Sequence, residues 1–143
     1  MRNNRNGRNG FSLIELLLVL AILGIISGIA IPSYLGQRRR ARVIGDAMSN
    51  AKVLAMQLET RKAENGIYGA ADTYTWTAGV ADAKALALLP SYSAASGNTK
   101  MNYSLVITNA GLSYTLTVFD PSISAATVAY QTDQTGQELQ RLF

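Results

Sequence analysis

The chain has neither cysteine nor histidine. Without cysteine there are no disulfides, no thiol chemistry and no Cys-type zinc sites. Without histidine the usual general base and the commonest metal ligand are missing. Proline occurs three times, at Pro32, Pro90 and Pro121, and charged residues make up only 15% of the 143. No nucleophile–base pair or phosphate loop stands out, so an enzyme is not expected and no cofactor is implied. Acidic residues are scattered rather than clustered. The formal charge of +4 is itself localised: Arg2, Arg5 and Arg8 lie in the first ten positions. Without those ten residues, ten basic groups would face nine acidic ones. The high isoelectric point therefore reflects a short basic segment, and nucleic acid is not expected as a partner.

What is present is one long apolar block. Residues 1–10 read MRNNRNGRNG, and residues 11–31 read FSLIELLLVLAILGIISGIAI, with Glu15 the one charge among them. As a helix those 21 residues would span about 30 Å, one bilayer hydrocarbon core. A cleaved secretory signal is the competing reading, with Gly28-Ile29-Ala30 as a loose cleavage site. Its apolar region, however, is usually only about 7–15 residues long. Residues 11–32 thus read as a transmembrane helix.

Glu15 demands a reason. A carboxylate deep in a spanning helix costs about 2.5–3.5 kcal/mol on insertion scales, and a partner is the default expectation. A cut after Gly10 would give Phe11 a free ammonium at the same depth. Opposite charges about 4 Å apart at an effective dielectric of about 20 attract by about 4 kcal/mol, enough to offset that penalty between neighbouring subunits.

The stretch Gly10-Phe11-Ser12-Leu13-Ile14-Glu15, the apolar run behind it and Pro32 together resemble the class III signal of type IV prepilins and type II secretion pseudopilins. Ser12 stands where the family more often has Thr. The resemblance implies cleavage between Gly10 and Phe11 by prepilin peptidase, N-methylation of Phe11, and pairing of Glu15 with the Phe11 amine of an adjacent subunit. It implies a structural subunit of a pilus-like filament, built of this chain alone or mixed with other pilins on an inner-membrane assembly platform. Adhesion, motility or DNA uptake would be its service. A type II secretion pseudopilin, or a minor pilin that binds surfaces or DNA, is the alternative. The subunit would sit in the lipid bilayer of the inner membrane with residues 1–10 cytoplasmic, then pass into a periplasmic or extracellular filament.

Gly24 and Gly28 form a G-x-x-x-G pair, either background glycine or a close helix contact. Pro32 lacks a backbone N–H and crowds the carbonyl of Gly28. The segment Gly24–Pro32 is therefore expected to be the weakest part of the helix, and the resemblance implies that it loosens on assembly. Arg38, Arg39, Arg40 and Arg42 follow, so basic residues flank both ends of the block. They read as a membrane-surface anchor, a contact with acidic groups in a filament, or a solvated helix face.

Residues 33–65 continue the helix amphipathically. Ile44, Ala47/Met48, Ala51, Leu54/Ala55 and Leu58 recur at three-to-four residue steps, and Asn65-Gly66 is a stop. Residues 66–143 read as a globular headpiece. Within it, 66–80 is expected to be a loop, Val80–Leu89 a short helix ended by Pro90, and 91–100 another loop. Met101–Thr108 and Leu112–Phe119 alternate and predict a hairpin across Asn109-Ala110-Gly111. Thr127–Thr132 and Glu138–Leu142 predict two more strands around an Asp133–Gly136 turn. The expected fold is α+β: a long N-terminal helix packed on a small antiparallel sheet of three or four strands. Trp76 and the six headpiece tyrosines are expected in its core. Asp120, Asp133 and Glu138 are a thin calcium candidate beside a simpler role in turns. No metal site is expected.

Overall fold

The computed structural model describes residues 10–77, 80–90, 92, 101–124 and 126–142. Residues 1–9, within the segment expected to be cleaved, and most of the expected 91–100 loop lie outside that range. The chain divides into two compact units, residues 1–38 and 39–143.

Helix α1 runs from Leu13 to Asn65, 53 residues, with Pro32 inside it. Its expected stop is real: the Gly66 N–H donates to the Lys62 carbonyl at 2.8 Å, and Gly66 takes φ +81°. That left-handed cap is the conformation glycine adopts without a Cβ penalty. In the first unit the apolar side chains of α1 lie exposed.

The second unit contains the core. Strands β1 (Thr73–Thr77), β2 (Val80–Ala81), β3 (Asn102–Thr108), β4 (Ser113–Phe119), β5 (Val128–Asp133) and β6 (Glu138–Arg141) form one antiparallel sheet in the order β2-β1-β3-β4-β5-β6. Helix α2 (Ala83–Leu88) follows β2. Alternation places one set of side chains on the face that meets α1. Tyr74, Leu105, Leu116 and Thr132 form one cross-strand row, and Trp76, Tyr103, Val118 and Tyr130 the next. All eight are buried, together with Val43, Ala47, Ala51, Leu54 and Leu58 from α1. Each buried Leu contributes about 1.5–3 kcal/mol of transfer free energy. The small Ala47 and Ala51 let the helix approach the sheet closely enough to take the aromatic rings.

The α+β expectation holds, but the sheet has six strands rather than three or four. The miss lies in residues 66–80. Their Gly, Asp and Thr read as loop, yet Tyr74 and Trp76 stand two apart between threonines, the spacing of a half-buried strand. The helix expected at Val80–Leu89 is shorter, because Asp82 caps it one residue before Ala83 and leaves Val80 and Ala81 to pair with β1. Two face assignments shift as well. Val43, not Ile44, begins the buried stripe, and Leu112 lies before β4, 54% exposed. The aromatic expectation stands: Tyr68, Tyr74, Trp76, Tyr92, Tyr103, Tyr114 and Tyr130 are all buried. Trp76, Tyr92 and Tyr103 meet edge to face with centroids 5.8 Å apart at each step, and Tyr68 meets Tyr114 at 4.8 Å.

Candidate functional site at the start of the long helix

Ser12 occupies the cap position of α1, and its carbonyl accepts from the backbone N–H groups of Glu15 at 3.1 Å and Leu16 at 3.3 Å. The Glu15 carboxylate reaches back and accepts from the Ser12 backbone N–H at 2.9 Å. This is the return half of a capping box, in which the acid three residues into the helix satisfies a donor that no helical carbonyl can reach. The carboxylate also lies at the positive end of the helix dipole. The sequence carries this signal openly, as Ser12-x-x-Glu15, but reading Ser12 only as a stand-in for threonine passes over it.

Gly10 and Phe11 are exposed beside that cap, Phe11 at 82%. Behind it, Leu13, Ile14, Leu16 to Leu18 and the rest of the run point outward all round the helix. Among the described residues, α1 is one helix long and apolar enough to cross a membrane. Such a surface would be untenable in water for a monomer and matches a hydrocarbon or helix-lined environment. At Gly24 and Gly28 an added Cβ would meet nothing within 4 Å, so neither glycine is required by packing inside the chain. The helix runs unbroken through Pro32.

Beyond the run, Arg38, Arg39, Arg40 and Arg42 are exposed. Arg39 Nη2 donates to the Ser122 carbonyl at 2.9 Å. The turn that presents Ser122 is held by Asp120, whose Oδ1 accepts from the Ser122 N–H at 2.7 Å. Asp133 Oδ1 plays the same part in the β5–β6 turn, accepting from the Thr135 N–H at 2.8 Å and the Thr135 hydroxyl at 2.6 Å. Those hydrogen bonds hold its pKa below the usual carboxylate range. Both aspartates thus serve turns. Among the described residues no three acidic groups converge as metal ligands.

A groove of about 360 Å³ opens beside α2, lined by Arg61, Asp72, Tyr74, Lys84 and Leu88. Asp72 and Lys84 are ion-paired across it, and Arg61 Nη1 donates to the Leu88 carbonyl at 3.0 Å. Its charged groups thus bond to one another and to the backbone.

Residues 5–31 match the family model described as the prokaryotic N-terminal methylation motif. The chain carries the class III prepilin signal of type IV pilins and pseudopilins. No curated protein and no solved structure matches the chain significantly. The motif and the apolar helix that it overlaps fit a chain anchored in a membrane.

Proposed function

We propose that the protein is a structural subunit of a type IV pilus-like filament. Prepilin peptidase cuts between Gly10 and Phe11, Phe11 is N-methylated, and the mature chain polymerises through α1. The observation that carries this reading is the coincidence of the methylation motif at residues 5–31 with a helix whose large apolar side chains from Leu13 to Leu35 all lie exposed. Methylation keeps the positive charge on the Phe11 nitrogen, so the amine remains available to a carboxylate. Glu15 supplies that carboxylate. Its four acceptor positions allow it to keep the Ser12 N–H and take the amine of a neighbouring subunit as well. In a hydrocarbon surround the charge-assisted pair sets the axial register between subunits. Pro32 and the glycines before it are where α1 yields when subunits pack.

Mass spectrometry of purified filaments tests the proposal. The expected chain begins at Phe11 and carries one added methyl on its amine. Filaments built of chains that keep residues 1–10 would overturn it.

A further inference from the structure

We propose that the bond from Arg39 to Ser122 is a stop: unwinding of α1 that starts at Pro32 is halted there, before it reaches the turns that carry the core. The inference goes beyond the assembly reading, because the stop works inside a single chain.

The helix just ahead of Arg39 is locally weak. Pro32 has no N–H to give to the Gly28 carbonyl, and proline is best tolerated in the first turn of a helix. The residues from Pro32 onward can therefore stand as a helix of their own, with an end that frays. Gly36, one turn later, brings the backbone entropy of glycine into the helix interior. A Cβ there would meet nothing within 4 Å, so packing offers that glycine no compensation. Burial gives no hold either. Residues 13–42 of α1 are exposed throughout, and Val43 is the first to be buried.

Arg39 acts one turn ahead of that core. It stands four residues before Val43, and Ala47 and Ala51 follow at the same step, so all four lie along one stripe of the helix. From that position its Nη2 donates to the Ser122 carbonyl at 2.9 Å and lies 3.5 Å from the Ser122 hydroxyl. The two residues are 83 apart in sequence, so the bond ties the helix to the turn after β4. The acceptor is fixed by its own turn. Asp120 is buried, its Oδ1 accepts from the Ser122 N–H at 2.7 Å, and its carbonyl accepts from the Ile123 and Ser124 N–H groups at 3.1 Å. Pro121 restrains one more dihedral of the same turn. A guanidinium that meets a preset carbonyl makes a charge-assisted bond with little left to order.

To pass Arg39, unwinding must therefore break this bond together with those of the helix. The core needs Val43, Ala47, Ala51, Leu54 and Leu58 held on one face. A stop at Arg39 keeps a full turn of helix in front of the first of them.

Amide hydrogen exchange of the full chain in detergent micelles tests the stop, read by mass spectrometry on peptides covering 36–43, 44–60 and the β3–β4 hairpin. In wild type, protection should rise sharply across Arg39. Arg39→Gln should speed exchange in the 36–43 peptide by roughly three- to tenfold, the loss of one charge-assisted bond, and leave the other two peptides unchanged. Arg39→Lys, which keeps a cationic donor, should recover part of the protection. Arg38→Gln, which removes the same charge one residue earlier, should match wild type. Unchanged exchange in Arg39→Gln would overturn the stop. So would a uniform rise over all three peptides, which would make the bond one more contribution to overall stability. Neither result bears on the cut between Gly10 and Phe11, which the mass of the filament subunit decides separately.

Discussion

The Glu15 carboxylate and the Ser12 backbone N–H are joined by a 2.9 Å hydrogen bond within one chain. The acid that marks the apolar helix therefore already has a role within the single chain. It closes the helix start, and that local bond reduces the penalty of placing a carboxylate near the membrane surface.

This dual role separates two substitutions. Glutamine at position 15 can still accept from the Ser12 N–H, since capping boxes use Glu and Gln alike. It cannot pair with an ammonium as a charge. Glu15→Gln should insert into membranes normally yet form filaments as poorly as Glu15→Ala, at least tenfold below wild type if an interaction of a few kcal/mol is lost. Filament yield measured without wild-type subunit checks this. Near-normal assembly by the glutamine variant, with failure of the alanine variant, would show that capping rather than charge is what assembly needs.

Asp82 joins β1 to α2. Its Oδ1 accepts from the Ala85 N–H at 2.6 Å, and its Oδ2 from the Thr75 N–H and hydroxyl at 2.9 and 2.8 Å. These bonds, the Ala85 one foremost, hold its pKa below the usual carboxylate value. Asp82→Ala should lower stability by about 1–2 kcal/mol in denaturant unfolding of the detergent-solubilised chain. Asp82→Asn should fall between, because it keeps the helix cap but turns an amide toward the Thr75 N–H. The pH dependence follows from the depressed value. The contribution is complete above the unfolded-state pKa near 4 and fades as pH falls through the lower folded-state pKa. In Asp82→Asn that part of the acid limb should be missing.

The buried tyrosines predict the alkaline limb. Burial, then the Glu59 carboxylate that accepts from its hydroxyl at 2.7 Å, pushes Tyr68 up to about 12. Burial likewise raises Tyr74, Tyr92, Tyr103 and Tyr114. For these groups the neutral form is the folded form. Their contribution is complete below the unfolded-state value near 10 and is lost as pH rises toward and through the folded-state values. Phenolate absorbance followed through an alkaline titration should show these rings ionising together with loss of the near-ultraviolet dichroism of the fold. Smooth ionisation of all of them near pH 10 with the dichroism intact would contradict the burial.

How much of this was legible in the sequence depends on the range of the interactions. The apolar run, the Asn65-Gly66 stop, the β3–β4 hairpin and the Asp133 turn are written in local periodicity and turn chemistry, and those expectations hold. The core position of Tyr74 and Trp76 was legible too, but not their strand. A five-residue strand flanked by loop residues depends on pairing with β3, some 30 residues on, and nothing local announces that partner. Periodicity puts Ile44 at the start of the buried stripe, one position from Val43, because it cannot tell adjacent positions apart on a helix that begins to touch its sheet there. The Ser12–Glu15 box was fully local, and was obscured by the more conspicuous reading of Glu15 as an acid awaiting an amine.

The turn between β3 and β4 offers the sharpest stability prediction. Asn109, Ala110 and Gly111 all take positive φ, at 50°, 54° and 91°. The Gly111 carbonyl accepts from the Tyr68 N–H at 2.9 Å, drawing the segment after α1 against the hairpin. A Cβ at Gly111 would lie 2.4 Å from the Gly69 carbonyl oxygen and 3.0 Å from the Ile67 Cβ. One of those atoms is backbone, so side-chain rotation cannot relieve the contact. Gly136 also has positive φ, at 77°, but its Cβ would meet nothing within 4 Å. Gly136→Ala should thus carry only the left-handed backbone penalty of about 1–2 kcal/mol. Gly111→Ala adds the clash and should exceed it by about 1–3 kcal/mol, with loss of amide-exchange protection at Tyr68. Ala110→Gly, which relieves a left-handed alanine, should stabilise by up to about 1 kcal/mol. Denaturant midpoints should rank Ala110→Gly highest, Gly136→Ala next and Gly111→Ala lowest, and equal losses for Gly111→Ala and Gly136→Ala would show that the turn does not hold Ile67 and Gly69 where the fold has them.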